Sequence, residues 1–212
     1  MNVVSIKYPN GKLYISNDDK KRSKKQQGIK KLSHSNRGMT LEEDLNVTNE
    51  FYLSRNMAII HKKPIPIQIV NVDYPRRSAA KITEAYYKKA STTDYNGVYK
   101  GHYIDFEAKE TQNKTSFPLK NFHEHQLTHM KACTDHGGIC FVIIRFSTLN
   151  RVFLVDFPLI SSWWNQQSEE NVKKSIPLSV FETEAYELTY SLAPRLPYLP
   201  IIDKLIESHT GK

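Results

Sequence analysis

The stretch of sequence that decides the fold is Ser91–Thr111, which reads STTDYNGVYKGHYIDFEAKET. Two extended segments, Thr93–Lys100 and His102–Thr111, meet at Lys100-Gly101. Glycine favours a tight turn between such segments, because it adopts backbone conformations that other residues avoid. The stretch therefore predicts a β-hairpin.

The second strand of this hairpin alternates between apolar and charged side chains. One face would carry Ile104, Phe106 and Ala108, and the other Asp105, Glu107 and Lys109. Asp94, one strand earlier, would meet the charged face across the hairpin. Carboxylate oxygens are the ligands that Mg²⁺ prefers, and a lysine beside the metal can activate water and stabilise charge on phosphate. The pattern therefore favours metal-assisted phosphodiester hydrolysis over the alternative, a surface strand with Glu–Lys pairing.

The flanking elements predict one α/β domain. Helical spacing begins at Thr40, a good N-cap residue, and predicts a helix over 40–54. The other expected elements are strands over 58–61, 65–72, 139–146 and 152–156, a helix over 118–136, and a largely helical C-terminal part ending with 199–207. The stretch from 73 to 90 shows no strong strand pattern. The order predicts a mixed sheet flanked by helices.

The positive charge is concentrated at one end of the chain. The 212 residues carry a net +8, and residues 1–38 hold ten Lys/Arg against two acids, which equals the whole excess. We expect this arm to be disordered, because it has too few apolar residues to bury. Its charge favours binding to the phosphates of nucleic acid, although a solvated tail is the alternative.

A second basic region spans 62–89, where Tyr74, Tyr86 and Tyr87 are interleaved with Lys and Arg. Cations that hold phosphates and rings that stack on bases are typical of nucleic-acid surfaces. We therefore predict a projecting, DNA-contacting element at about 73–90, rather than a loop whose tyrosines pack onto the core.

Composition excludes several other classes of protein. Charged or turn residues interrupt each apolar run well before ~18 residues, which argues against a membrane span. The N-terminus lacks the apolar region of a secretory signal, and two cysteines, Cys133 and Cys140, do not make a disulfide framework. We expect a cytoplasmic protein.

Beyond these patterns, the sequence resembles a known family. Asp94…Glu107-Ala108-Lys109 resembles the motif of the restriction-endonuclease-like nucleases. More narrowly, residues 91–118 resemble the RecU family of Holliday junction resolvases from Gram-positive bacteria. The resemblance extends to NRGM at 36–39, HKKPIPIQIVNVDYPRRS at 61–78, His125-Gln126 and Pro194-Arg195-Leu196. It covers most of residues 36–207, and only the arm diverges.

This resemblance implies a restriction-endonuclease-like mixed sheet, homodimers, and a stalk that enters the centre of a four-way DNA junction. The implied ligands for Mg²⁺, with Mn²⁺ as a substitute, are Thr92, Asp94, Glu107 and Gln126, and the implied catalytic lysine is Lys109. The implied DNA-binding residues are Arg37, Arg76, Arg77, Lys81, Tyr86 and Tyr87. Arg37 is also linked to modulation of the strand-exchange recombinase, and such a protein would be associated with the nucleoid. Asp105 could be a further ligand or support one.

The histidines form a separate group. His125 and His129 are spaced i, i+4 on the predicted helix 118–136, which is compatible with zinc binding. No third ligand follows at a fixed spacing, so phosphate contact or plain surface exposure is the favoured interpretation. Trp163-Trp164 belongs either to the core or to a dimer surface.

The overall prediction is a Mg²⁺-dependent endonuclease that resolves Holliday junctions by paired symmetric nicks. Two alternatives remain open. One is a less structure-selective, restriction-type nuclease on the same fold, and the other is a DNA-binding accessory factor that anneals strands or modulates the recombinase.

Overall fold

The computed structural model describes residues 39–75, 80–88, 92–167 and 174–210. The basic arm at 1–38 lies outside these residues, and so do Arg37, Arg76 and Arg77. The predicted disorder of the arm stays a prediction.

The described elements follow a mixed order of helices and strands. The helices are α1 (Leu41–Ser54), α2 (Glu124–Asp135), α3 (Phe157–Gln166), α4 (Leu178–Glu184) and α5 (Leu199–Thr210). The strands are β1 (Ile59–Lys62), β2 (Ile67–Asp73), β3 (Lys81–Tyr87), β4 (Tyr95–Tyr99), β5 (His102–Thr111), β6 (Ser116–Pro118), β7 (Ile139–Phe146), β8 (Arg151–Asp156), β9 (Ser175–Pro177) and β10 (Tyr186–Leu188). Among these residues, no helix has the length and apolar character that a membrane crossing requires.

Six strands form the central sheet in the order β1-β4-β5-β7-β8-β10. The β5–β7 pair is parallel and the other pairs are antiparallel. The connection from β5 to β7 includes α2, which therefore packs on one face of the sheet. The predicted fold class, a mixed sheet flanked by helices, is confirmed.

Each face of the sheet carries its own apolar core. Ile104 and Phe106 of β5 point into the core that includes residues of α1 and α5. The opposite core contains Cys140 and Val142 of β7, and residues of α2, α3 and α4. Because both faces are covered, β5 and β7 lie in the interior of the domain. The charged side chains of Asp105 and Glu107 on β5 are therefore buried as well.

The expected helix start at Thr40 is confirmed. The Thr40 hydroxyl accepts from the Glu43 backbone N–H at 3.2 Å, and Glu43 accepts in turn from the Thr40 backbone N–H at 2.8 Å. This capping box satisfies donors that the first turn leaves free. The predicted turn at Lys100-Gly101 is also present, since β4 ends at Tyr99 and β5 begins at His102.

Close contact fixes β1 against β4. Gly97 pairs with Ile60, and a Cβ at Gly97 would lie 2.0 Å from the Ile59 carbonyl oxygen. Only glycine permits this approach. The pairing holds the chain segment that leads into β2 beside the strand that follows Asp94.

Strands β2 and β3 form a separate two-stranded sheet, which we call the hairpin. Every residue in both strands is exposed except Val72, which is half-buried. The sequence shows no strong strand pattern between 73 and 90, yet β3 lies there. The hairpin also begins earlier than the predicted element, at Ile67, so that the strand expected at 65–72 belongs to the hairpin and not to the central sheet.

The remaining differences are local. The helix predicted over 118–136 is divided: β6 ends at Pro118, a short 3-10 helix spans Leu119–Asn121, and α2 begins at Glu124. The short strands β9 and β10 also interrupt the C-terminal part that we expected to be helical.

Candidate active site

Three acidic and amide side chains meet at the middle of β5. Glu107 is 2% exposed, and one of its oxygens, Oε1, accepts from Gln126 Nε2 at 2.7 Å. The other oxygen, Oε2, accepts from the Asp94 backbone N–H at 3.1 Å. The Asp94 carboxylate in turn accepts from the backbone N–H of Ala108 at 3.3 Å. Asp94 and Glu107 are therefore held together by backbone groups of the β4–β5 hairpin.

Lys109 completes this group. Its ammonium lies 2.8 Å from Glu107 Oε1, and its side chain is largely buried. Lys109 and Glu107 are two residues apart on β5, so their side chains project from the same face. The predicted catalytic residues Asp94, Glu107 and Lys109 are thus in one place.

The electrostatics of Glu107 fit a site for a hard divalent cation. Burial, followed by the negative charge of Asp94, raises the pKa of the Glu107 carboxyl to about 7, while the Lys109 ammonium opposes the rise. A buried carboxylate next to a second carboxylate is unfavourable without further positive charge. A divalent cation between Asp94 and Glu107 would supply that charge, and carboxylate oxygens are suitable ligands for it.

The two other predicted ligands have different settings. Thr92 lines the same cleft as Asp94 and Gln126, and its hydroxyl donates to the Thr93 carbonyl oxygen at 3.5 Å. The Gln126 amide oxygen accepts from the His123 backbone N–H at 3.2 Å. Gln126 therefore orients Glu107 and caps α2 at the same time. Metal ligation by Thr92 or Gln126 remains a prediction.

The site opens into a cleft of about 370 Å³. Its walls are the first turn of α1, the Lys62–Pro66 segment that leads into the hairpin, and the Thr92–Asp94 segment that follows it. Two lysines, Lys62 and Lys63, line this cleft. Lys62 forms an ion pair with Glu42 at this edge.

A second buried carboxylate, Asp105, lies two residues before Glu107 and is fully buried. Its Oδ2 accepts from Lys63 Nζ at 2.7 Å and from the Tyr103 hydroxyl at 2.8 Å, and its Oδ1 accepts from the Thr93 hydroxyl. The charge of Asp105 is therefore balanced within the protein by Lys63. Sequence patterns gave no indication of this pair, because 42 residues separate its members.

The histidines of α2 have separate environments. His123 and His125 stack on each other with ring centres 5.5 Å apart. His129 Nε2 lies 3.3 Å from Asp105 Oδ2 and 3.6 Å from the Cys133 sulfur, and donor atoms of these three residues lie within 4.8 Å of one another. We missed Cys133 in the sequence, although its i, i+4 spacing from His129 could have identified it. Lys63 already provides a positive charge at the same Asp105 oxygen.

Those of the predicted DNA-binding residues that lie within the described residues are on the hairpin. Lys81 begins β3, and Tyr86 and Tyr87 end it with exposed rings. The Tyr86 hydroxyl donates to Glu84 at 2.7 Å. Tyr87 is 82% exposed, which leaves its ring free to stack on a base.

Comparison with known proteins identifies the family. The family model RecU, described as "Recombination protein U", matches residues 36–204. The protein named "Holliday junction resolvase RecU" from Geobacillus kaustophilus is 54% identical over 202 residues, which cover 95% of this chain and 98% of that protein. Proteins of the same name from Geobacillus sp. WCH70 (55% identity, covering 96% and 99%) and Pediococcus pentosaceus (60%, covering 82% and 87%) are also similar. The chain belongs to the RecU family.

Among solved structures, the chain is similar to Hjc, a Holliday junction resolvase from Archaeoglobus fulgidus. The TM-score is 0.37 at 12% identity, over 69% of this chain and 93% of that one. This likeness is too low to support any conclusion about the site.

Proposed function

We propose that this chain is an endonuclease that resolves four-way DNA junctions, with Mg²⁺ as its metal and paired symmetric nicks as its product. The observation that carries the proposal is that Glu107, on the buried strand β5, contacts both Asp94 and Lys109 close to the base of an exposed hairpin. The relatives at 54–60% identity are named Holliday junction resolvases, which supports a junction as the substrate.

Asp94 and Glu107 would hold the metal, with Thr92 and Gln126 beside them. A bound divalent cation supplies Lewis-acid stabilisation of the scissile phosphate and lowers the pKa of a bound water. Gln126 fixes the orientation of Glu107 by donating to its Oε1, at 2.7 Å. Glu107 therefore reaches the reaction with its carboxylate already positioned.

Lys109 acts on the attacking water and on the phosphate. Its ammonium is 2.8 Å from Glu107, so it lies where negative charge develops as the phosphodiester is attacked. Positive charge placed there in advance stabilises the transition state more than the ground state. This selective stabilisation is the catalytic role that we assign to Lys109.

The hairpin supplies selectivity for the branch point. Its exposed rings and Lys81, together with Arg76 and Arg77 outside the described residues, are suited to unstacked bases and phosphates. A symmetric dimer matches a junction that has two equivalent strands to cut. Binding of the basic arm to DNA, and contact with a strand-exchange recombinase, belong to the same proposal.

The test is nicking of a synthetic four-way junction beside linear duplex, with and without Mg²⁺. We expect Mg²⁺-dependent, paired cuts in the junction and little cutting of the duplex. A variant with Arg76, Arg77 and Lys81 changed to Ala should lose this selectivity, and the salt slope of its junction binding should shrink by at most about three, roughly 0.9 per lost phosphate contact. Equal cutting of both substrates by the unaltered protein would contradict the proposal in favour of a restriction-type nuclease.

A further inference from the structure

The hairpin joins the rest of the domain at two points that lie beside the candidate active site. The chain enters through Lys63–Pro66 and returns through Thr92-Thr93. At the entry, the Lys63 backbone N–H donates to the Asp94 carbonyl oxygen at 2.7 Å. At the base of the hairpin, the Lys88 backbone N–H donates to the Pro66 carbonyl oxygen at 2.9 Å. The two connections are therefore linked to each other and to Asp94.

One buried carboxylate holds both connections. Lys63 Nζ donates to Asp105 Oδ2 at 2.7 Å and to Thr93 Oγ1 at 2.8 Å, and the Thr93 hydroxyl donates to Asp105 Oδ1. We call Lys63, Thr93 and Asp105 the base clamp. Asp105 is fully buried and Lys63 is mostly so, which means that these bonds are shielded from water and ions.

The base clamp is directly connected to the residues that perform the chemistry. Thr93 precedes Asp94 in the chain, and Asp105 lies two residues before Glu107 on the same face of β5. Asp105 also contacts His129 on α2, the helix whose Gln126 holds Glu107. A displacement of the hairpin base would therefore move the segment that carries Asp94 relative to Glu107.

Packing alone does not require such a group. A buried ion pair has a desolvation cost that its Coulomb attraction often only balances, and an apolar pair of similar volume stabilises a core at least as well. Its advantage is a defined geometry, because each hydrogen bond fixes a distance and a direction. This pair lies between the hairpin and the Asp94–Glu107 site. Its defined geometry can therefore fix the position of the hairpin base relative to that site.

We propose that Lys63, Thr93 and Asp105 are positioning residues that couple the hairpin to the metal site. They hold Asp94 against Glu107, and they make this arrangement depend on how DNA holds the hairpin. The inference rests on the proposed function for its DNA part, whereas its metal-binding part can be measured on the protein alone.

The first experiment compares Thr93→Val with Thr93→Ser. Valine is close to threonine in size but lacks the hydroxyl that donates to Asp105, whereas serine retains it. Valine therefore removes two hydrogen bonds, the one from Lys63 and the one to Asp105. We expect Thr93→Val to weaken Mn²⁺ binding, measured by titration calorimetry, by about tenfold or more, since one buried hydrogen bond already corresponds to about tenfold. Thr93→Ser should bind Mn²⁺ within about threefold of the unaltered protein.

The second measurement uses DNA. At saturating Mn²⁺ and saturating DNA, the ratio of maximal nicking rates on junction and on linear duplex should fall several-fold in Thr93→Val. Junction affinity in EDTA should stay within about twofold, because the hairpin surface and the basic arm are unaltered. Reduced junction affinity with a normal rate ratio would instead make Thr93 a DNA contact, and would overturn the proposal.

A neutralised pair and a matched control separate positioning from stability. Lys63→Met with Asp105→Asn removes the buried ion pair without leaving an unpaired charge, and it should reproduce both effects of Thr93→Val. Lys100→Met with Asp203→Asn removes an ion pair of the same 2.7 Å length on the outside of the domain, and should change neither. A lower melting temperature with unchanged Mn²⁺ affinity and rate ratio in the clamp variants would show a purely structural role and overturn the inference.

These outcomes are distinct from a failure of the proposed function. If the unaltered protein cuts no junction, the proposed function fails, while the Mn²⁺ titrations still decide whether the clamp positions Asp94 and Glu107. If the unaltered protein resolves junctions and the clamp variants match it in both measurements, only the coupling is wrong.

Discussion

Strand β5 and the hairpin are built in opposite ways. Residues 104–107 of β5 are all buried, and β5 has a strand on each side and a core on each face. The hairpin is exposed along both strands and forms a sheet of its own. Under the proposed function, the chemistry, which depends on sub-ångström placement, would lie on the buried strand, and the surface for DNA binding would lie on the exposed hairpin. The difference separates the residues that should set the rate from those that should set affinity and selectivity.

The largest effect should come from Lys109, near the end of the buried strand β5. Lys109→Ala should lower the maximal rate of junction nicking by about 10²-fold or more, the scale of losing one electrostatic stabiliser of a transition state. Junction affinity should hardly change, because many phosphate contacts elsewhere supply it. Single-turnover nicking and a gel-shift titration in EDTA measure the two quantities.

The matched control is Lys131→Ala, which removes an exposed lysine paired with Asp135 on α2. It should nick at the normal rate. Near-normal nicking by Lys109→Ala would show that Lys109 is not catalytic. It would also weaken the contrast between β5 and the hairpin.

Glu107 should lower the stability of the metal-free protein at neutral pH, because its ionised carboxylate is buried beside Asp94. Its pKa is raised to about 7 in the folded protein, so between about 4.5 and 7 the folded state holds a proton that the unfolded state has lost. The free energy of unfolding of the metal-free protein therefore decreases as pH rises through this interval, by up to about 3 kcal/mol from this group. Glu107→Gln should lack this part of the decrease and should be the more stable protein at pH 8, while losing Mg²⁺-dependent nicking. Urea unfolding of both proteins in EDTA at pH 5 and pH 8 measures the difference.

A surface carboxylate, Glu187, should change the free energy of unfolding with pH in the opposite direction. Hydrogen bonds from Arg151 lower the pKa of Glu187, so its contribution to stability is present at neutral pH and is lost as pH falls. Both variants should approach the unaltered protein at low pH, but at neutral pH Glu187→Gln should be less stable than the unaltered protein and Glu107→Gln more stable. If Glu107→Gln is as stable as the unaltered protein at pH 8, or less stable, then the ionised Glu107 carboxylate does not destabilise the fold. The case for a metal between Asp94 and Glu107 would then be weaker.

The same contrast explains what could be predicted from the sequence. The β4–β5 pair and the Asp94–Glu107–Lys109 group were predictable, because apolar and charged residues alternate along β5 and the short turn at Lys100-Gly101 brings Asp94 opposite them. Strand β3 was not, because neither face of the hairpin is buried and its pairing with β2 shifts register between Ile69 and Val72.

The base clamp and the His129–Cys133 contact were missed for another reason. Lys63 meets Asp105 only after β1, β4 and β5 have assembled, and no local pattern records a pairing over that distance. Asp105 was recognised as a charged residue on the correct face, but its partners depend on tertiary structure. The predicted roles of Arg37, Arg76 and Arg77 stay predictions.

The exposed rings of the hairpin should affect binding without affecting the fold. Tyr87→Ala should weaken junction binding by roughly 1–3 kcal/mol if its ring stacks on one base, and it should leave linear duplex binding nearly unchanged. Tyr87→Phe retains the ring and should bind normally. Equal weakening on both DNAs, measured by fluorescence anisotropy at one salt concentration, would make the hairpin a general backbone contact.

The smallest effect should come from shortening an apolar side chain on the hairpin. Ile82→Val and Ile104→Val each delete one methylene-sized group from a strand, but Ile82 is 47% exposed and Ile104 is fully buried. Ile104→Val should lower the free energy of unfolding by about 0.5–1.5 kcal/mol, because it loses burial and leaves a small cavity. Ile82→Val should change it by less than about 0.5 kcal/mol, as is usual for surface positions. Urea unfolding at two protein concentrations tests both values. If Ile82→Val costs as much as Ile104→Val, and more at the higher concentration, the hairpin is buried against a second copy of the chain in solution. The exposure that separates the two regions would then be a property of the single chain and not of the assembled protein.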